Sequence, residues 1–352
     1  MKLSVCMIVR DEQQTLGRIL QIASQFADEI VVVDTGSKDK TKEIALRFTN
    51  KVYDFLWVQD FSKARNFSFS KATGDYLMWL DADDFISKSN IDKIKKLKQR
   101  HDFDCCMCKY VMPYSNFSRL EYYRERIVKN NGMFVWNGFI HEAMAPVGKV
   151  IYSDIEIEHQ KLKTKDSNRN LKIYRYHKKL GEKFNARSAY YYAKELYYSG
   201  FYTSCVRALN KFLKYEDKFA PNVQDAILCK SRCFYFQHKN LKSISTLLNY
   251  AKQEVLSAEM CCVLGDNFVQ LKKLNQAIFW YVCALNSLDD PTSGAFCDSQ
   301  YKNIYPCLQL CYVYYLLGDL KRSKNYHLKS KDFCPNHPSV QYNNKFFDNL
   351  EF

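Results

Sequence analysis

The stretch Tyr76-Leu77-Met78-Trp79-Leu80-Asp81-Ala82-Asp83-Asp84 runs five apolar residues without a break into three carboxylates. A short continuous apolar run of this kind reads as a strand buried on both faces. Such a strand has no structural reason to end in like charges, which repel one another unless a cation or an arginine offsets them. Two carboxylates two residues apart at a strand end can face one divalent ion, and oxygen ligands suit Mg²⁺ or Mn²⁺. An Asp-x-Asp alone is weak evidence, since surface turns contain many; its place at the end of a buried strand gives it weight.

Upstream, short apolar runs alternate with amphipathic stretches. Residues 3–9 read as a strand, and 12–26 as a helix with Leu16, Ile19, Leu20 and Ala23 on one face. Residues 29–34 form the next strand, followed by Thr35-Gly36-Ser37 as turn and cap, a helix around Thr41 to Phe48, a short strand at 52–55 and a helix at 61–72. This alternation predicts an α/β domain with a mostly parallel sheet, whose ligands bind at the carboxyl ends of the strands. Asp34 and Asp81 both stand at such ends. Downstream, a basic helix is predicted at 90–98 and strands at 104–112, 122–128, 132–136 and 151–159.

Several residue types elsewhere fit the chemistry of an acidic strand end. Arg65, in Asp60-Phe61-Ser62-Lys63-Ala64-Arg65-Asn66, carries a planar guanidinium able to bridge carboxylates or hold a phosphate. It could equally lie on a helix surface. Asp34 could accept hydrogen bonds from a base or ribose, or Thr35-Gly36-Ser37 could be a plain helix cap. His141-Glu142 follows the Gly-containing turn Trp136-Asn137-Gly138-Phe139-Ile140 and offers a general base or an acceptor-binding group, although isolated His-Glu pairs are more often incidental. His159, ending the last predicted strand, could supply a neutral imidazole to a metal.

From about residue 170 the pattern becomes helical and repetitive. Four segments share a helix-turn-helix layout, centred on Ser199-Gly200-Phe201-Tyr202, His238-Lys239-Asn240-Leu241, Lys272-Lys273-Leu274-Asn275 and Leu317-Gly318-Asp319-Leu320. Their spacing is close to the ~34-residue tetratricopeptide period with insertions, which predicts a stacked superhelical array. The polar stretch 161–168 sets the expected boundary, giving domains at 1–165 and 166–352. The net charge of +14 is uneven: 26 Lys+Arg face 22 Asp+Glu in 1–165, and 26 face 16 in 166–352. A basic second half suits plain solvation, an acidic partner or peripheral contact with an anionic membrane. No finger, basic heptad or RNP-like strand points to nucleic acid. Apolar runs fall far short of the ~20 residues of a membrane-spanning helix. The first residues read as a buried strand rather than a secretion signal, so a cytoplasmic location is expected. The 14 cysteines, among them Cys105-Cys106-Met107-Cys108, are expected as buried thiols rather than disulfides or a zinc site.

Taken in order, Cys6 to Glu12, Val31 to Thr41, Asp60 to Asn66, Ala72 to Asp75, Leu80 to Asp84, Gly138 to Glu142 and His159 resemble the motifs of inverting family 2 glycosyltransferases that carry tetratricopeptide repeats. The order is also similar to that of sublancin-type peptide S-glycosyltransferases. The resemblance implies a GT-A fold, a UDP-sugar donor and Mg²⁺ or Mn²⁺. It places Asp34 on the nucleoside, Arg65 and Asp84 beside the nucleotide-sugar, Asp81 and Asp83 on ribose and metal-diphosphate, and His159 on the metal. Glu142, with His141 beside it, becomes the candidate base of a single displacement. The implied acceptor is a peptide or protein side chain, or else a cell-surface glycan or glycolipid, and the repeats are expected to support the acceptor or a homodimer. Against a non-catalytic repeat scaffold stands the intact Asp81/Asp83 pair.

Overall fold

The apolar runs around Val5, Val31 and Leu77 lie side by side at the centre of one mixed sheet. The computed structural model describes residues 1–115, 118–160, 168–287 and 298–349. Its strands are β1 (Leu3–Val9), β2 (Glu29–Asp34), β3 (Val52–Asp54), β4 (Tyr76–Trp79), β5 (Asp84–Phe85), β6 (Cys105–Ser115), β7 (Ser118–Lys129) and β8 (Val150–His159). They stand in the order β3-β2-β1-β4-β7-β6-β8-β5. β1 pairs parallel with β2 and β4, and β2 parallel with β3. Beyond β4 the sheet is mixed: β7 is antiparallel to β4 and β6, β8 parallel to β6, and β5 antiparallel to β8.

Helices α1 (Leu16–Ala23) and α2 (Thr41–Leu46) follow β1 and β2; α3 (Phe61–Ser70) precedes β4, and α4 (Lys88–Leu97) follows β5. Leu16, Ile19 and Leu20 of α1 and Ile91 and Ile94 of α4 share one core cluster with Val5, Met7, Val32 and Met78 of the strands. Phe69 of α3 joins Cys6, Val31, Leu77, Trp79 and Trp136 in another. Each fully buried aliphatic or aromatic side chain contributes about 1.5–3 kcal/mol to this packing.

The strand predicted at 132–136 does not form. The N–H and C=O of Trp136 are both taken by the side-chain amide of Asn66 (2.9 and 3.0 Å), so this backbone has no ladder to join. Its ring packs edge-on against Trp79 instead, with centroids 5.2 Å apart.

By contacts the chain divides into two units, Met1–Glu182 and Lys183–Phe352. The sequence reading drew its boundary at 165/166; helix α5 (Arg169–Lys179) falls in the first unit. The second unit holds α6 (Ala186–Tyr198), α7 (Tyr202–Phe212), α8 (Ala220–Phe236), α9 (Asn240–Tyr250), α10 (Ala258–Gln270), α11 (Leu274–Leu285), α12 (Ile304–Leu316), α13 (Leu320–Phe333) and α14 (Pro338–Asp348). Helices α6 to α13 form four helix-turn-helix pairs at the four predicted turns. Each turn carries one left-handed residue: Gly200 (φ 76°), His238 (54°), Lys272 (55°) and Gly318 (76°). In each, the next N–H donates to the carbonyl five residues earlier, as Phe201 to Leu196 (2.8 Å) and Lys239 to Phe234 (2.9 Å). This is the Schellman ending of a helix, and glycine suits it best because it has no Cβ.

The amino ends of β1, β2 and β4 are tied by one carboxylate. Glu29 accepts from the Ser4 hydroxyl, pairs with Lys51, and accepts from Thr73 N–H (2.7 Å) and hydroxyl (2.8 Å). Gly74 N–H donates to Ser4 Oγ (2.9 Å), and a Cβ at Gly74 would come within 2.5 Å of that oxygen. Burial alone would raise the Glu29 pKa, but Lys51, Ser4 and Thr73 outweigh it and hold it down to about 2.

Two outcomes follow from these geometries. His238→Gly and Lys272→Gly, at exposed left-handed positions, should each raise the stability of the helical unit by roughly 0.5–1 kcal/mol. Calorimetric midpoints that stay put or fall for both would show the turns to be unstrained. Glu29 has a depressed folded pKa, so its contribution is full above the ordinary carboxylate pKa and lost as pH falls from about 4.5 towards about 2. Glu29→Gln should therefore cost about 1–3 kcal/mol at pH 7, and its Tm deficit should shrink across that window; a pH-independent deficit would contradict this.

Candidate active site

The strand order places β1 between β2 and β4, so Asp34 and Asp81 emerge at the same edge of the sheet, two strands or about 10 Å apart. Asp34 is 3% exposed. Its Oδ1 accepts from the N–H groups of Gly36 and Ser37 (both 2.7 Å), with Gly36 at φ 100°. Its Oδ2 is buried without a hydrogen-bond partner. The neighbouring loop is fastened to the same turn: Asp11 N–H donates to Ser37 Oγ (2.9 Å) and Lys38 N–H to Asp11 Oδ1 (2.7 Å).

After β4 the chain turns tightly. Asp84 N–H donates to the Asp81 carbonyl (3.1 Å), and Asp81 N–H donates back to Asp84 Oδ2 (2.9 Å). Asp84 then enters β5, whose antiparallel register with β8 sets it opposite His159. Gln160 N–H donates to the Asp83 carbonyl (2.8 Å). His159 Nδ1 consequently lies 3.3 Å from Asp83 Oδ1 and 3.7 Å from Asp84 Oδ1. The three residues can present ligand atoms all within 4.8 Å of one another. His159 Nδ1 and Asp84 Oδ1 are buried and make no hydrogen bond. Burial opposes protonation of His159, yet Asp84 and Asp83 outweigh it and raise its pKa above the ordinary value. Two carboxylates and an imidazole, with two buried atoms lacking partners, form a donor set that fits Mg²⁺ or Mn²⁺.

Asp81 has a different partner. Arg65 Nη2 lies 2.9 Å from Asp81 Oδ1, and Arg65 Nε 2.6 Å from Glu142 Oε1. Asp60 caps α3 through Lys63 N–H (3.0 Å), which fixes the turn that carries Arg65. The guanidinium sits near the rings of Trp79 (4.9 Å) and Trp136 (4.8 Å). Burial alone would raise the Asp81 pKa; Arg65 and Arg126 reverse this and hold it well below the usual carboxylate range. Glu142 arrives on a loop closed by reciprocal backbone bonds between Asn137 and Ala143 (2.9 and 3.0 Å). Gly138 (φ 95°) and His141 (φ 51°) give the loop its bend, and the His141 side chain is half-buried. Phe61 N–H donates to the Phe139 carbonyl (2.8 Å), while the Phe139 ring stacks on His177 of α5 at 3.9 Å.

Thus the structure groups Asp83 with Asp84 and His159, pairs Asp81 with Glu142 through Arg65, and leaves Asp34 separate at the neighbouring strand end. Sequence reasoning did not single out Arg126, Trp79 or α5. Arg126 Nη1 lies 3.0 Å from Asp84 Oδ2, with both side chains fully buried, and the guanidinium lies over the rings of Trp79 (3.6 Å) and Tyr110 (4.4 Å). Plain alternation along β7 gave no signal for Arg126, because the register shifts there, with Cys106 opposite Ile127 and Met107 opposite Glu125. A shallow cleft lined by Lys2, Asp28, Glu29, Lys51 and Thr73 lies at the amino ends of the strands, where open α/β sheets do not place their ligands.

Residues 4–154, short of half the chain, match the family Glycosyl transferase family 2. The chain is 46% identical over 83 residues to a TPR repeat-containing protein of Synechococcus elongatus, covering 24% of this chain and 21% of that protein. It is 30% identical over 140 residues to the SPbeta prophage-derived glycosyltransferase SunS of Bacillus subtilis, covering 38% and 33%. The chain therefore spans about a fifth to a third of these relatives' lengths. Glucosyl-3-phosphoglycerate synthase from Mycobacterium tuberculosis, solved with Mg²⁺ and uridine diphosphate, aligns at TM-score 0.28 and 19% identity over 31% of this chain and 43% of that one. Residues 4–154 thus match a family 2 glycosyltransferase domain, and helix pairs follow them in the chain. No helix among the described residues is long and apolar enough to cross a membrane.

Removing Arg126 would strand the buried Asp84 charge. Arg126→Met should lower the stability of the first unit by about 3–5 kcal/mol, and Asp84→Asn in addition should restore part of it. Trp57, Trp79 and Trp136, three of the chain's four tryptophans, report that unit's denaturant midpoint by fluorescence. A loss below about 1 kcal/mol would show that the pair is hydrated rather than buried.

Proposed function

We propose that this family 2 domain is an inverting glycosyltransferase that moves a hexose from a UDP-sugar to a nucleophile on a peptide or protein side chain. The observation that carries the reading is the convergence of Asp83, Asp84 and His159 beside the Asp81–Arg65–Glu142 chain of ion pairs. Asp34, with a buried oxygen that lacks a partner, accepts from the nucleoside. Asp83, Asp84 and His159 would hold Mg²⁺ or Mn²⁺, with Asp84 fixed through its other oxygen by Arg126. When bound, the cation supplies charge neutralisation for the departing diphosphate.

The chain's own groups do the rest. Arg65 adds a fixed positive charge beside the diphosphate, already oriented by two indoles and two carboxylates, so little reorganisation is needed as charge grows. Glu142 accepts the acceptor's proton through a carboxylate that Arg65 and the closed 137–143 loop hold in place. His141 stands next to it as an acceptor-facing group. Attack opposite the leaving group inverts the anomeric centre, so an α-linked donor gives a β-glycoside. The stacked repeats offer an extended surface of the kind that holds peptide acceptors, and the reaction is placed in the cytoplasm, where nucleotide sugars are supplied. A cell-surface glycan or glycolipid is the competing acceptor class.

The test is release of UDP from UDP-glucose, UDP-GlcNAc and UDP-galactose. Turnover should require Mn²⁺ or Mg²⁺, stop with a chelator, and fall about 10²–10³-fold in Asp83→Ala. Glu142→Gln, whose amide oxygen can still accept from Arg65, should depress transfer more than it weakens donor binding. Absence of UDP release from all three donors, or release indifferent to Asp83→Ala, would sink the reading. A peptide array run beside a glycolipid panel separates the acceptor classes.

A further inference from the structure

The helical unit gathers a second set of ligand-type atoms. Cys229 and Cys233 stand four residues apart on α8 and so share one face. Cys205 reaches them from α7. The three sulfurs lie within 4.8 Å of one another, and Cys205 Sγ is 3.9 Å from Cys229 Sγ. All three residues are at most 2% exposed. A metal bonded to sulfur at ~2.3 Å spaces its ligands by about 4.0 Å in a trigonal plane and about 3.8 Å in a tetrahedron, so the cluster needs little movement to close on an ion. Lys194, held by Asp225 at 2.8 Å, adds a positive charge near Cys229 and Cys233, while contacts among the thiols and burial push Cys205 and Cys229 up.

We propose that Cys205, Cys229 and Cys233 form a three-thiolate site for a soft monovalent cation of the Cu(I) class. No fourth His, Cys, Asp or Glu joins the group among the described residues, whereas structural zinc takes four ligands. Soft thiolates select Cu(I), and three suffice for it in a trigonal plane. Binding displaces the three thiol protons to solvent with no change of oxidation state, and leaves a net charge of −2 over the three sulfurs and the cation, facing Lys194. The site lies within the second unit and does not depend on the sheet-edge chemistry.

The experiment is an anaerobic titration of the full chain with Cu(I) against a competing cuprous chelator. One equivalent should be held at least about 100-fold more tightly by the wild type than by Cys229→Ser, while Cys283→Ser, outside the cluster on α11, should match the wild type. X-ray absorption on the wild type should show three sulfur neighbours, and this measurement decides the matter if Cys229→Ser misfolds. Equal binding by wild type and folded Cys229→Ser, two-sulfur coordination, or no tightly held equivalent would overturn the proposal.

Discussion

A single buried ion pair, Arg126 with Asp84, sets the terms for the acidic edge of the sheet. Three carboxylates follow β4 within five residues, and Asp84 among them is fully buried. Such a charge would drive the turn apart or be protonated unless a partner of opposite sign were built into the neighbouring strand. Arg126 is that partner, and it also donates to the Trp79 carbonyl at 3.1 Å. The strand end and the turn are therefore gripped by the same guanidinium. With Asp84 fixed, its other oxygen faces His159, Asp83 is turned to the same side, and Asp81 is left to Arg65. Trp79 is the common floor, with Arg65, Arg124 and Arg126 all lying near its ring.

How much of this was legible depended on the range of each interaction. The parallel strands and the helix pairs read directly from local periodicity, because burial imposes period 2 or 3.6 on nearby residues. The turns at Gly200 and Gly318 were equally visible, though not their left-handed backbone. The strand expected at 132–136 failed because Asn66, some 70 positions earlier, takes the backbone groups that a ladder needs. The acidic turn was legible as a site, but the grouping of Asp83 and Asp84 with His159 follows from the β5–β8 register, which no local pattern encodes. Arg126 was hidden for the same reason: its partner lies 42 residues away. Helix α5 read as the start of the repeats, and only its packing on Phe139 shows that it braces the loop carrying Glu142.

The two ends of the strands divide the work of the first unit. At the amino end, Glu29 accepts three hydrogen bonds, one from Ser4 and two from Thr73, and pairs with Lys51, and the backbone is so close at Gly74 that no side chain fits. At the carboxyl end, buried oxygens of Asp34 and Asp84 make no hydrogen bond, and His159 Nδ1 meets Asp83 and Asp84 only as an ion pair. Satisfied polar groups add rigidity, and unsatisfied ones mark where a ligand is awaited. The sheet is thus anchored at one edge and left chemically open at the other.

Arg65 joins carboxylates that stand 61 positions apart in the chain, Asp81 on the turn and Glu142 on the loop. Groups that share one bridging charge do not fail independently. Once any one of the three is lost, the other two no longer hold the arrangement that made them useful, and a second loss adds little to the damage. Asp81, Arg65 and Glu142 are therefore expected to vary together among descendants of this sequence: a lineage that abandons one has scant reason to retain the rest, and one that keeps the chemistry must inherit all three as a single trait.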